Sequence, residues 1–160
     1  MATDGFIKIA GIEGESKDDK HAKEIDVLSW SWDAQQSGTT HMGGGSGAGK
    51  VKVGDLTFTK YIDSASHNLL LSCCAGTHLK EAVLVVRKAG DKPLEYIKLT
   101  MSDVIVTKVA TGGVGTEDRL TENITLNFGK FEFAYTPQKA DGSGEAAKTA
   151  GWMIPENKKV

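Results

Sequence analysis

Short stretches in which apolar and polar residues alternate make up most of the chain. The segments GFIKIAG near the N-terminus and KVKVGDLTF from Lys50 alternate with a period of two, which is typical of strands with one buried face. The stretch EAVLVVRKAGDKPLEYIKLTMSDVIVTKV predicts a β-hairpin whose turn lies at Ala89–Pro93. A second hairpin turns at TGGVGTED and returns as ENITLNFGKFEFAY. The pattern therefore predicts a mainly β protein.

Two of the predicted strands change the side on which their apolar residues lie. In KEIDVLSWSWDA, Ile25 and Val27 share one face, whereas Leu28 and the two tryptophans that follow share the other. Either a bulge interrupts this strand or both of its faces are covered. In the last long strand a similar change predicts a bulge at Gly129–Lys130.

One segment, IDSASHNLLLSCCAG, has helical spacing. Ile62, Ala65, Leu69 and Cys73 recur at that spacing, which predicts one helix over about residues 62–75. Asp63 or Ser64 is a suitable cap for its start, and Gly76 is a good residue to end it. Many strands and one flanking helix predict an antiparallel β-barrel, or a sandwich of two sheets, with an extended glycine-rich loop.

Composition narrows the class of protein. The chain has 160 residues, which suits a single domain over residues 1–160. A formal charge of −2 gives no argument for nucleic-acid binding, and no apolar run is long enough for membrane insertion. The start MATDGFIKIAG lacks the features of a signal peptide. We therefore expect synthesis in the cytoplasm, with any export by another route.

Several strands carry apolar residues on both faces. The stretch Ala82 to Val86 is apolar throughout, whereas a barrel of this size has only one interior. Another subunit is the simplest cover for the second face.

The glycine-rich stretch GGSGAGK, from Gly44 to Lys50, fits G-x-x-x-x-G-K, the beginning of a phosphate-binding loop. The motif then requires Ser or Thr, and here Val51 follows. The next residues alternate as a strand, whereas a phosphate loop leads into a helix. We therefore interpret the stretch as a glycine loop that leads into a strand.

Candidate metal and catalytic residues are sparse. The segment ESKDDKHAKE contains Asp18, Asp19, His21 and Glu24, but their spacing matches no known metal-binding loop. Interleaved lysines favour a solvated charged loop over a metal site. No catalytic pairing of Ser, Cys, His and Asp follows from local sequence, and we expect Cys73 and Cys74 to be packing residues. The sequence predicts no enzyme activity, cofactor or metal.

Several long segments, in order, carry a resemblance to a known family. These are FIKIAGIEGESKDDKHAKEIDVLSWSW, SGTTHMGGGSGAGKV, LTFTKYIDSASHNLLLSC, RKAG and EDRLTENITLNF. Together they resemble Hcp, the haemolysin co-regulated protein of bacterial type VI secretion systems. The resemblance runs from the first strand to AYTPQKADG, which is nearly the whole chain.

This resemblance implies a structural protein that forms homohexameric rings, and the rings stack into the inner tube of the secretion system. The implied partners are other copies of the chain, a valine-glycine-repeat spike protein, the contractile sheath and baseplate components, and small secreted effectors held in the lumen. It also implies secretion without a signal peptide and no cofactor.

Two sets of residues are candidates for these roles. Ser29, Ser31 and Asp33 lie opposite the tryptophans on the first long strand, so we predict from this alternation that this polar face, with Ser29 and especially Ser31, points into the lumen. The loop from Gln35 to about Lys52 resembles the family's extended loop, and we predict that it contacts adjacent subunits and the next ring. Its candidate residues are Gln35, Gln36, His41, Met42, Gly43, Gly44, Gly45, Ser46, Gly47, Ala48, Gly49 and Lys50.

Two alternatives stay open on the sequence alone. A ring-forming module that binds or chaperones effectors, without a role in a tube, would share the same β fold. A small nucleotide-dependent enzyme would instead use the glycine loop, and it is distinguished by binding of ATP and magnesium.

Overall fold

The computed structural model describes residues 3–38, 49–90 and 92–160. The chain is mainly β, and all strand pairs among these residues are antiparallel. The elements in chain order are β1 Thr3–Ile9, β2 Ile25–Val27, β3 Ser29–Ser31, β4 Ala34–Gln35, β5 Lys52–Val53, β6 Leu56–Tyr61, α1 Ser66–Ala75, β7 His78–Lys88, β8 Glu95–Thr111, β9 Thr121–Tyr135, β10 Lys148–Met153 and β11 Lys158–Lys159.

One nine-stranded sheet closes on itself, and the pair β4–β5 forms a separate ribbon. Strands follow the order β11-β10-β9-β8-β7-β1-β2, while β3 pairs with β6 and β6 pairs with β9. Because β2 and β3 are consecutive, they join β1 to β6 and complete a barrel. Of the two predicted architectures, the barrel is the one observed.

The change of face in the first long strand is a break at Leu28. β2 ends at Val27 on β1, and β3 begins at Ser29 on β6. Leu28 donates its backbone N–H to the carbonyl oxygen of Thr59 at 2.8 Å. The predicted interruption therefore lets one stretch of chain pair with two different strands.

The second change of face takes a different form from the predicted bulge at Gly129–Lys130. The β8–β9 register continues unchanged past this point, but the pair formed by Asp103 and Gly129 is missing from it. Asp103 has a φ of 54°, which lies in the left-handed region. The two strands thus change their buried face at the same place, where the register does not shift. The register shift of this strand pair occurs further along β8, between Val106 and Lys108.

The barrel interior contains the apolar residues of the inward faces. Phe58, Leu84, Leu99 and Met101 are among the fully buried side chains. The helix covers one part of this core through Leu69, which is 0% exposed.

Helix α1 is shorter at its start than predicted. It spans Ser66–Ala75, with no side-chain cap on its first turn. The Asp63 carboxylate accepts the backbone N–H of Ala65 at 2.9 Å, which holds the preceding residues in a turn. The predicted end is confirmed, because Gly76 takes a left-handed conformation with a φ of 61°.

Candidate assembly surfaces

The outer face of three neighbouring strands is polar and uncharged. The register of β3, β6 and β9 aligns six such residues: Ser29, Ser31, Thr57, Thr59, Asn123 and Thr125. Thr59 donates to the side-chain oxygen of Asn123 at 2.6 Å, and the hydroxyls of Thr57 and Thr125 lie 3.2 Å apart. Ser29 and Ser31 are both exposed. The two predicted lumen residues therefore lie in a larger hydroxyl-rich face, and their contact with a lumen stays a prediction.

The base of the extended loop is an ordered ribbon. Gln35 pairs with Lys52 across β4 and β5, and the indole N–H of Trp32 donates to the carbonyl oxygen of Gly54 at 3.0 Å. The Trp32 ring also packs edge-on against Phe131, with centroids 4.9 Å apart. This fixes the direction in which the loop leaves the barrel.

The remaining loop residues divide into two groups. Gln36, Gly49 and Lys50 are exposed. The other candidates lie outside the described residues: His41, Met42, Gly43, Gly44, Gly45, Ser46, Gly47 and Ala48. The chain enters β5 at Lys52, so the strand predicted after the glycine stretch is confirmed.

The segment predicted to be a solvated charged loop is instead fixed to the barrel at two of its residues. His21 is 6% exposed, and its ring stacks on Phe6 with centroids 4.5 Å apart. Its Nδ1 lies 2.9 Å from a Glu24 carboxylate oxygen, and its Nε2 lies 2.7 Å from one of Glu95. Sequence reasoning missed this contact because Glu95 lies on a distant strand.

Asp18 forms the second anchor of this segment. Both of its carboxylate oxygens accept hydrogen bonds from the Arg87 guanidinium. These hydrogen bonds lower the pKa of Asp18 to about 2. The guanidinium carbon also lies 4.9 Å from the centre of the Phe6 ring. We name residues 10–24 the strap.

Within the described parts of the chain, no three His, Cys, Asp or Glu residues are placed to hold a metal ion.

The strap changes the interpretation of β7. Val85 lies beside Phe6 in the register and is only 6% exposed. The expectation that another subunit is the simplest cover for the outer apolar face of this strand is therefore wrong at Val85, where residues of this chain cover it. Of the two cysteines, Cys73 is partly buried, as expected of a packing residue, whereas Cys74 is exposed.

A buried charged cluster joins β6, α1 and β9. Lys60 is 0% exposed, and its ammonium nitrogen lies 2.6 Å from Glu122 and 2.8 Å from Asp63. Ser66 accepts from the ammonium at 3.1 Å and donates to Glu122 at 2.7 Å. The sequence held a signal for this cluster, because Lys60 continues the inward positions of Leu56 and Phe58.

Comparison with known proteins gives a consistent family. The family model described as "Type VI secretion system effector, Hcp" matches residues 6–135. The chain is 55% identical over 159 residues to Protein hcp1 of Pseudomonas aeruginosa, covering 98% of each chain. No described helix is long and apolar enough to cross a membrane.

Solved structures agree in fold. Hcp1 from Salmonella typhimurium is 43% identical, with 100% of both chains covered and a TM-score of 0.83. A type VI secretion effector from Yersinia pestis is 40% identical, covering 94% of this chain and 100% of the other, with a TM-score of 0.78. A structure described as a type six secretion system protein is 32% identical, covers 99% of this chain and 100% of the other, and reaches a TM-score of 0.93. The chain belongs to the Hcp family of type VI secretion proteins.

Proposed function

We propose that this chain, acting as one domain over residues 1–160, is the structural subunit of a type VI secretion inner tube. Six copies form a ring, and rings stack into a tube that the contractile sheath expels behind a valine-glycine-repeat spike. The full-length similarity to Pseudomonas aeruginosa hcp1 carries the proposal. On this proposal the protein acts without catalysis or a cofactor, and it is secreted from the cell.

The polar face of β3, β6 and β9 supports a role in holding cargo. Its side chains offer hydroxyl and amide groups and no charge, so they suit hydrogen bonding to a protein surface that keeps much of its water. We assign this face to the lumen, where Ser29 and Ser31 contact small effectors. Effector binding, which the alternative of an effector-binding ring requires, would then be a property of the same tube-forming ring.

Solution mass combined with negative-stain microscopy tests the ring. A hexamer-sized particle with a central hole is expected, and a monomer at high concentration contradicts the proposal. Tubes at still higher concentration distinguish a tube subunit from a ring that only binds effectors.

The cargo role has its own test. Ser31→Glu places a charge on the polar face and should reduce co-purification of a bound effector while the ring mass stays unchanged. Thr77→Glu is a matched control, because it makes the same charge change at an exposed position just after the helix. Equal effector recovery from the two variants would argue against cargo binding at this face.

The glycine loop gives a further test from the sequence. Replacing Gly44 and Gly47 by bulky residues should impair stacking into tubes and leave single rings intact. Normal tubes from that variant would contradict the role of the loop.

A further inference from the structure

An apolar groove lies between the β4–β5 ribbon and β10. It encloses about 430 Å³. Val51, Val53 and Phe131 form much of its wall together with Trp152, and all four side chains are only partly buried. The described residues of this chain leave the groove open, so it can take a side chain from elsewhere.

An exposed apolar tip lies on the β8–β9 hairpin. The tip comprises residues 111–120, and Val114 and Leu120 are 59% and 41% exposed. The tip is ordered by a turn in which Glu117 donates its N–H to the carbonyl oxygen of Val114 at 3.0 Å. It therefore presents Val114 on a preformed turn, which lowers the entropy cost of docking.

The tip and the groove of one chain are far apart. Thr121, where β9 leaves the tip, and Phe131, in the groove wall, lie on the same continuous strand. The ten intervening steps correspond to roughly 33 Å of strand. The tip of a chain therefore cannot reach the groove of the same chain, so docking of a tip into a groove needs two copies.

The charges of the two surfaces are complementary. The described residues that line the groove are uncharged, but the segments that contribute them, 34–36, 49–53 and 150–159, place four lysines and one carboxylate beside it: Lys50, Lys52, Lys158, Lys159 and Glu156. Lys158 pairs with Glu156 at 2.5 Å, which leaves an excess of positive charge. The tip contains Glu117 and Asp118. Its one cation, Arg119, lies over the Tyr61 ring at 3.9 Å, and two acids with one arginine give the tip a net charge of −1.

We propose that the tip of one copy docks into the groove of a second copy, with Val114 in the groove and its acidic residues near the lysines. A contact between two different surfaces is heterologous and repeats from one copy to the next. Resting on the proposed tube function, this contact joins successive rings head to tail.

Charge exchange tests the pairing. Glu117→Lys with Asp118→Lys, or Lys50→Glu with Lys52→Glu, should each raise the ring concentration needed for stacking by about tenfold or more at low salt. Carrying both changes on one chain restores the attraction between copies and should bring this concentration back to within about threefold of the original protein. The control Glu13→Lys with Asp19→Lys has the same charge change at exposed strap-side positions and should stack normally.

A crosslink tests the contact without relying on tubes. In a background with Cys73→Ala and Cys74→Ala, one preparation carries Val114→Cys and another carries Val53→Cys. On mixing and mild oxidation, a disulfide should form between the two preparations. Leu71→Cys, which replaces a side chain 65% exposed on the helix, is the control in place of Val114→Cys.

The outcomes separate the two proposals. Crosslinking above the Leu71→Cys control supports docking, even where ring mass fails to show a hexamer. Intact rings and tubes without this crosslink, or with charge variants that stack normally, overturn the docking and leave the tube function standing. Monomers without the crosslink overturn both.

Discussion

Replacing Lys60 by methionine is expected to destabilise the fold strongly. The substitution keeps most of the side-chain volume and removes the ammonium group. Glu122 and Asp63, whose side chains are 3% and 7% exposed, then face each other without their common cation. Removing one partner of a buried ion pair costs about 3–5 kcal/mol, because the remaining charge cannot be solvated.

The expected loss of unfolding free energy is large relative to the total stability of the domain. A domain of this kind has about 5–15 kcal/mol of unfolding free energy, so Lys60→Met removes roughly a third to a half of a mid-range value. The double variant Lys60→Met with Glu122→Met should recover at least about 1 kcal/mol relative to the sum of the single variants. Asp63 keeps a backbone partner in that variant, because it accepts the N–H of Ala65 at 2.9 Å.

Urea unfolding followed by tryptophan fluorescence measures these changes. Protein concentration must be held equal, since association of folded copies raises apparent stability. Lys8→Met is the matched control at an exposed position, and it should change the unfolding free energy by about 0.5 kcal/mol or less. A loss below about 1 kcal/mol for Lys60→Met, or single-variant losses that simply add, would refute a coupled buried cluster.

Three further changes test the strap and its support. Arg87→Gln should raise the pKa of Asp18 from about 2 toward the ordinary value of a carboxyl group, as measured by carboxyl NMR. In the original protein the pKa of Asp18 is lower in the folded state than in the unfolded state. The stability that Asp18 contributes is therefore complete above pH ~4 and is lost as the pH falls toward 2. Gly14→Ala should destabilise the fold by about 1–3 kcal/mol, because its Cβ would lie 2.5 Å from a facing carbonyl oxygen, whereas Gly112→Ala meets nothing within 4 Å. His21→Ala should make residues 10–24 more sensitive to limited proteolysis, since it removes both carboxylate contacts.

Each of these results has a clear contrary outcome. An Asp18 titration unchanged by Arg87→Gln would mean that the guanidinium is not what lowers its pKa. Equal stability of the two alanine variants would contradict close packing at Gly14. A protease pattern unaltered by His21→Ala would place the attachment of the strap elsewhere.

Local pattern was sufficient for most strands up to β9, for the end of the helix and for the family, but it did not predict β10 and β11 or the start of the helix at Ser66. Alternation along Leu56 to Phe58 predicts an inward face, and the same alternation places Lys60 on that face. The end of the helix at Gly76 also follows from one residue, because glycine tolerates the left-handed conformation found there. The family follows from long ordered segments, which carry far more information than any one motif.

Pairing between distant residues required the tertiary structure. Nothing near His21 indicates that its second partner is Glu95, and nothing near Lys60 indicates Glu122. The same limitation explains the predicted bulge at Gly129, since the irregularity depends equally on Asp103 in the facing strand. Alternation reports which side of a strand is buried, because that depends on neighbours along the chain. It cannot report what lies across the barrel, since those contacts form only when the sheet closes.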